Sequence, residues 1–239
     1  MLTRTRAIVL HTLKYGDASM IVDLLTETNG RLSFMVHIPK TSKGKIKKQY
    51  FQPLTIIEME FDYRQKSELQ RMRDVRVALT FSSIPFNPIK LSLALFLSEF
   101  LSQVTRGEQQ NIPLYQYIEN SIGWLDACEE NYANFHLVFM MRLVRFLGFW
   151  PNLDDFVEGC FFDLRNASFV VEAPLHPDYL VPQEAERISR LMRMSYETMH
   201  LFRMSHHDRN RITDVALRYY RLHIPQMPEL KSLEVVRGL

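Results

Sequence analysis

The sequence predicts an α+β protein in which an N-terminal five-stranded β-barrel is followed by an α-helical C-terminal domain with a short extended insertion. Three observations lead there. Over the first 80 residues, β-branched and aromatic residues cluster between turn signals instead of recurring at helical spacing. From residue 87 the apolar positions follow a helical period. Between Pro151 and Pro182 four prolines and the alternating Phe169-Val170-Val171 interrupt that period.

The first strand covers roughly Arg4 to Leu13, and Tyr15-Gly16-Asp17 ends it. A second, Ser19 to Thr26, joins a third, Arg31 to Ile38, through Thr28-Asn29-Gly30, where Asn-Gly supplies the positive φ angles of a tight hairpin. After Pro39 comes a polar, lysine-rich loop. The sheet resumes over Phe51 to Phe61, with Ile57, Met59 and Phe61 alternating, and ends in a strand over Leu69 to Val77. Five short antiparallel strands with no long helix between them fit a small barrel such as the OB-fold, whose face and loops bind oligonucleotides; an SH3-like barrel fits the same pattern.

Asn87-Pro88 reads as a helix N-cap followed by an N1 proline, and Leu91, Ala94, Leu95, Phe96, Leu97 and Leu101 give the first helix a thick apolar face. Similar patterns recur over Leu114 to Ala127, Tyr132 to Phe149, Glu184 to Arg193 and Arg209 to His223, the last with Asp208 as its expected N-cap. The expected division is residues 1–82 for the barrel and 83–239 for the helical domain, with the extended insertion near 151–182.

A chain of 239 residues with 46% hydrophobic content can bury a substantial core. The N-terminus meets Lys14 and Asp17 before any signal-like apolar run, and the most apolar stretch, Leu91 to Leu101, is broken by Ser92, Ser98 and Glu99. That stretch is shorter than the roughly 20 apolar residues a bilayer requires, so a cytoplasmic location and no membrane partner are expected. Cys128 and Cys160 provide neither a disulfide framework nor a four-cysteine metal site, and both are expected to be buried thiols. The net charge of +2 hides an asymmetry: residues 1–80 hold 14 Lys or Arg against 8 Asp or Glu, and the remainder 15 against 19. An anionic polymer is attracted to the front of such a chain, and the acidic remainder suits protein contacts.

Lys40, Lys43, Lys45, Lys47 and Lys48 place five cations within nine residues, with Arg31 before them and the aromatics Tyr50 and Phe51 after. Ammonium groups suit phosphate oxygens, and aromatic rings stack on unpaired bases. The alternative is a solvated loop that keeps an edge strand from aggregating. His206-His207-Asp208, with His200 nearby, has the residue types of a metal or acid–base cluster, but adjacent residues point apart and a capping role already explains Asp208. No phosphate-binding glycine loop, dinucleotide fingerprint, zinc-protease helix or nucleophile elbow is present, which argues against enzymology and for work done by binding free energy. On the segment around Met140 and Met141, core packing is the default for the apolar stripe, yet Arg142 and Arg145 beside it could also dock a peptide carrying acidic and aromatic groups.

These features together resemble the RecO family of recombination mediators. RTRAIVLHTLKYGDASMIVDLLTETNGRLSFMV resembles the family's N-terminus, with Thr26, Glu27, Gly30 and Leu32 in its T-E-x-x-G-x-L hairpin. RLVRFLGFWPNL at 142–153 is similar to the L-x-x-x-G-F-x-P-x-L segment, and LKSLEVV at 230–236 resembles the closing L-K-S-L. The resemblance covers nearly the whole chain. It implies an N-terminal OB-fold, a helical C-terminal domain, a nucleoid-associated location, binding to single- and double-stranded DNA, and strand annealing. It implies partners as well: RecR, and the acidic C-terminal tail of single-stranded-DNA-binding protein docked on the helical domain, so that RecA is helped indirectly onto coated strands. On this chain the DNA role would fall to Arg31, Lys40, Lys43, Lys45, Lys47, Lys48 and Tyr50, and the tail would meet Arg142 or Arg145. Many members carry a cysteine zinc site after the G-F-x-P-x-L segment, but LDDFVEGCFFDL offers only Cys160. No cofactor and no structural zinc are therefore expected, with the insertion held by Phe156, Phe161, Phe162 and Phe169. The rival functions are a nucleic-acid-processing enzyme built on the His206 cluster and a protein adaptor that makes no direct DNA contact.

Overall fold

The chain opens with strands β1 (Leu2–Tyr15), β2 (Ser19–Thr26), β3 (Gly30–His37), β4 (Ile56–Asp62) and β5 (Leu69–Val77) in a computed structural model that describes residues 1–38 and 46–238. The strands close into a barrel in the order β1-β2-β3-β5-β4, with β4 pairing back onto β1. β3 and β5 run parallel, and the other neighbours run antiparallel. This is the OB-fold. The one parallel pair departs from the all-antiparallel expectation, because strand direction depends on how the β3–β4 crossover is routed, which alternation within a strand does not encode. Alternate residues point inward, and Val22, Leu24, Phe34, Met59 and Phe61 fill the interior.

Phe51 belongs to that interior but not to a strand. It ends a single 3-10 turn over Lys48–Phe51, and Pro53 with left-handed Leu54 (φ 61°) delays β4 until Ile56. Leu54 N–H donates to the Val9 carbonyl and Val9 N–H to the Thr55 carbonyl, so the turn is sewn to β1 where that strand bulges between Val9 and His11.

The β2–β3 hairpin has a three-residue loop, since Thr26 pairs with Gly30. Only Gly30 (φ +69°) enters the left-handed region; Asn29 does not, which corrects the expected Asn-Gly turn. The Thr26 hydroxyl closes the loop by donating to the Gly30 carbonyl at 2.8 Å and accepting from Asn29 N–H at 3.1 Å. Gly30 is needed twice. A Cβ there would overlap the Glu108 carbonyl oxygen and the Gln109 carbonyl group, against which the hairpin is pressed.

Two compact units are present, Met1–Ala127 with Leu230–Gly238, and Cys128–Glu229. The first adds three helices to the barrel: α1 (Pro88–Val104), α2 (Ile112–Ala127) and α6 (Leu233–Arg237). Asn87 caps α1 as expected, its side chain accepting from Ile89 and Lys90 N–H. The polar interruptions of α1 each tie it to another element. Ser98 donates to the Leu10 carbonyl at the β1 bulge (2.5 Å), the Ser102 carbonyl accepts from Arg31 on β3, and Glu99 accepts from Lys231 N–H, Ser232 N–H and the Ser232 hydroxyl. Burial would raise the Glu99 carboxyl, but these donors outweigh it and hold it below its usual range. Residues Leu230 to Leu233, the closing motif, are thereby clamped onto α1. The linker 82–84 is held in the same way, with Ser82, Ser83 and Ile84 N–H donating to the Asp126 carboxylate within 2.9 Å.

The second unit packs α3 (Phe135–Leu143), α4 (Pro182–Met192) and α5 (His206–His223) with a small sheet of β6 (Phe161–Asp163), β7 (Ser168–Val170) and β8 (Tyr179–Leu180), ordered β7-β6-β8. α3 is shorter than the period suggests. Beyond Leu143 the chain tightens into turns that end at left-handed Gly148 (φ +86°), and Phe149 N–H reaches back to the Val144 carbonyl, a Schellman closure. The Phe149 ring then stacks on His223 at 5.1 Å, and its carbonyl accepts from Tyr219, which accounts for the Gly-Phe of the motif. Met140, Met141 and Val144 are core. In the insertion, Phe162 packs edge-on against Phe169, and so does Phe156, while Phe161 packs against Tyr179. Cys160 is buried, but Cys128 is only half-buried, its thiol on the Glu130 carbonyl. Asp208 is not the N-cap of α5. Ser205 is, and Asp208 answers it from the third helical position in a capping box. Among the described residues no helix is long and apolar enough to cross a membrane.

His136, fully enclosed on α3, has its Nε2 3.1 Å from Thr213 Oγ1, whose own proton goes to the Arg209 carbonyl; Nε2 is therefore the donor. Burial, reinforced by Arg209, pulls this imidazole down to about 3 from 6.5. The folded state then refuses a proton that the unfolded chain accepts below pH 6.5, so stability is whole above that pH and falls below it by up to about 1.4 kcal/mol per pH unit. Urea denaturation at about pH 7.5 and about pH 5 is expected to show this loss in the wild type and a smaller one in His136→Gln. Gly30→Ala is expected to cost about 2–4 kcal/mol in the same assay, because it combines left-handed strain with a backbone overlap.

Candidate nucleic-acid interface

The barrel sorts its cations. On the side formed by the start of β1, β4 and the end of β5, each arginine faces a carboxylate: Arg4 and Arg76 both hold Glu58, Arg73 holds Asp62 at 2.6 Å, and Arg6 holds Glu119 of α2 at 2.8 Å. Hydrogen bonds from Arg76, then from Arg4, hold the Glu58 carboxyl below its usual range. That side is self-neutralised. Elsewhere Lys14 at the end of β1, Arg64 and Lys66 in the β4–β5 loop, Arg71 on β5, and Lys47 and Lys48 at the 3-10 turn are exposed and make no ion pair among the described residues.

Of the residues singled out from the sequence, Lys40, Lys43 and Lys45 lie outside the described residues. Lys47 and Lys48 are exposed next to them. Tyr50 is half-buried and packs on the barrel core, and Phe51 is inside it. Arg31 is turned inward, with its side chain only 12% exposed; it pairs with Asp23 at 3.0 Å and donates to the Ser102 carbonyl of α1. Burial lowers its pKa against the opposing pull of Asp23. Its guanidinium is thus committed to joining hairpin and helix.

Sequence reasoning overlooked the outer face of β1, β2 and β3. The register sets Leu13, Ile21 and Met35 in one cross-strand row, which Arg71 of β5 extends, and Tyr15, Ser19 and His37 in the next. Leu13 is 55% and Tyr15 59% exposed. The signal lay in parity: these residues alternate with the core positions Met20, Val22, Phe34 and Val36 and so must point out of the barrel. The lone cations Lys14, Arg64, Lys66 and Arg71 were overlooked because they form no run.

On the second unit, Arg142 spends its Nε on the Met194 carbonyl at 3.1 Å, while Arg145 is exposed and lies over the Trp150 ring at 5.1 Å. A separate groove of about 250 Å³ is lined by the apolar Leu191, Phe202, Met204 and Ile212 and by the charged Arg187, Arg203 and Asp208. Arg187 reaches Asp208 at 3.4 Å; Arg203 has no ion pair among the described residues. The Asp208 carboxylate also serves the Ser205 cap, and among the described residues no three His, Cys, Asp or Glu side chains gather to hold a metal.

Comparison with known proteins accounts for both halves of the chain. The family described as Recombination protein O N terminal matches residues 1–81, and Recombination protein O C terminal matches residues 85–234. The chain is 52% identical over 239 residues to the DNA repair protein RecO of Phocaeicola vulgatus, covering all of this chain and 99% of that one. It is 50% identical over 240 residues to DNA repair protein RecO of Bacteroides fragilis and 31% identical over 245 residues to that of Porphyromonas gingivalis, with the same coverage. A barrel of OB topology, a helical remainder and relatives matched from end to end make this chain a member of the RecO family of DNA repair proteins.

Proposed function

We propose that this protein is a recombination mediator that binds single- and double-stranded DNA on its barrel, anneals single strands, and with RecR helps RecA onto strands coated by single-stranded-DNA-binding protein. It works at the nucleoid, through binding free energy and without making or breaking covalent bonds. The observation that carries this reading is the sorting of cations: one side of the barrel is neutralised by its own carboxylates, while Lys14, Arg64, Lys66, Arg71, Lys47 and Lys48 have none among the described residues. Unpaired ammonium and guanidinium groups are what a polyphosphate backbone exchanges for its counterions. The sequence adds Lys40, Lys43 and Lys45 to the same set.

Fluorescence anisotropy of a labelled single strand, titrated across salt, tests this. A Lys43, Lys45, Lys47, Lys48→Ala variant is expected to bind more weakly, with a log–log salt slope shallower by about 0.7 for each phosphate it no longer neutralises. Coincident curves for variant and wild type would favour a protein adaptor that does not touch DNA through this loop.

The acidic tail of single-stranded-DNA-binding protein has two cationic surfaces to meet on the helical unit. Arg145 lies against Trp150 and Arg142 is partly spent, whereas the groove lined by Arg203, and by Arg187 paired with Asp208, sets charge beside apolar side chains. The groove suits an acidic peptide with apolar side chains better. Arg203→Glu is expected to weaken binding of a labelled tail peptide by at least about tenfold, because a charge-assisted hydrogen bond is replaced by repulsion, with Arg145→Glu near wild type. The reverse ranking would return the tail to Arg142 and Arg145.

A further inference from the structure

We infer that this protein associates with itself, the acidic apolar end of the small sheet in one copy seating on the outer face of β1, β2 and β3 in another. β6 and β7 pair Phe161 with Val170, so the residues just before β6 and just after β7 emerge at the same end of that sheet. Phe156, edge-on to Phe169 at 5.1 Å, ties the turn before β6 to β7. The apolar side chains left over in these two segments do not join the core: Val157 is exposed, Val171 is 77% exposed and Leu175 is fully exposed. Asp154, Glu158 and Glu172 of the same segments are exposed and make no ion pair among the described residues, while Asp155 accepts from Asn152 at 2.9 Å. Apolar side chains exposed together mark a surface that something covers.

Charge identifies the occupant. Carboxylates without partners beside apolar side chains call for a surface that is itself apolar and edged by cations, and this chain carries one. Leu13, Ile21 and Met35 form an outward row on the barrel, Arg71 ends that row, and the β4–β5 loop adds Arg64 and Lys66. These three cations have no carboxylate of their own among the described residues, and Glu68 is the one exposed acid of the loop. The carboxylate on the face, Asp23, is already held by Arg31 and by the Ser33 hydroxyl at 2.5 Å. Phe34, Phe51 and Phe61 fill the barrel interior, so the outward row is spare in the folded chain. Each surface supplies what the other lacks. Closing the contact covers apolar area on both and sets opposite charges across its rim, which fixes register and speeds encounter. Because the two surfaces differ, the contact is heterologous: it closes when a second one returns from the partner copy, and otherwise leaves ends that add further copies.

The contact does not need the DNA-binding reading above; its regulation rests on that reading, because a strand held by the barrel and a seated copy compete for Arg64, Lys66 and Arg71. The test is sedimentation velocity of the whole chain over a wide concentration range at low and high salt. The average mass is expected to rise with concentration at low salt and to return to the monomer at high salt. Glu158→Lys with Glu172→Lys, and Arg64→Glu with Arg71→Glu, are each expected to weaken association by at least about tenfold, and an equimolar mixture of the two variants to regain it, because the reversed charges meet again across the contact. Unchanged urea midpoints establish that the variants fold. A wild type that stays monomeric throughout overturns the inference, as does association that survives both reversals or that the mixture fails to restore. A short labelled oligo-dT reads the regulation, and its binding is expected to return the wild type to monomer. A strand that binds without dissolving the association overturns the competition, whereas a strand that does not bind at all counts against the DNA-binding reading and leaves the self-association standing on its own measurement.

Discussion

The first unit depends on a single close approach, the backbone of Gly30 against the turn between α1 and α2. A side chain at that position would be strained by its φ of +69° and would overlap the carbonyl groups of Glu108 and Gln109 facing it. With the gap closed, Arg31 N–H donates to the Glu108 carbonyl at 2.9 Å, and the guanidinium one residue beyond the glycine reaches past Asp23 to Ser102. The hairpin tip thus becomes part of the helical packing. From there Ser98 fixes α1 over the β1 bulge, and Glu99 fixes α6 over α1. Each of these bonds relieves a buried polar group that would otherwise cost about 1–3 kcal/mol, so the joints tend to form together or not at all.

Much of this was legible in the residues. Asn87-Pro88 marks the start of α1 through local chemistry alone, and β2 begins and ends where its turn residues predict. The features that could not be read have a common cause, dependence on partners distant in sequence. The parallel β3–β5 pair is a property of chain routing. Ser98, Glu99 and Ser102 look like blemishes in an apolar helix until β1, α6 and β3 are placed beside it. Arg31 shows the same limit most plainly: in sequence it is a cation ahead of a lysine run, and in three dimensions it is an internal strut. Asp208 failed as a cap by a single helical turn, because Ser205 has the same capping chemistry and sits earlier.

The candidate interface follows the same rule. A run of lysines is visible in one dimension, but whether a cation is available to a ligand depends on whether a carboxylate stands opposite, and only the strand register reveals that Glu58 serves both Arg4 and Arg76. The parity of Leu13, Tyr15, Ile21 and Met35 was present in the sequence from the start. It becomes informative only when the barrel is known to be closed, since in an open sheet either face can be core.

The connectivity has a consequence for the ribosome. The second unit, Cys128–Glu229, interrupts the first, whose final helix is supplied by residues 230–238. At about 5–20 residues per second, the hundred or so residues between α2 and α6 take about 5–20 s to be synthesised. During that interval the barrel, α1 and α2 can assemble, but the Glu99 carboxylate and the strip of α1 that α6 will cover stay open to solvent. The nascent chain therefore passes through a stage in which its barrel is formed but unlatched, and the latch is made only after the second unit.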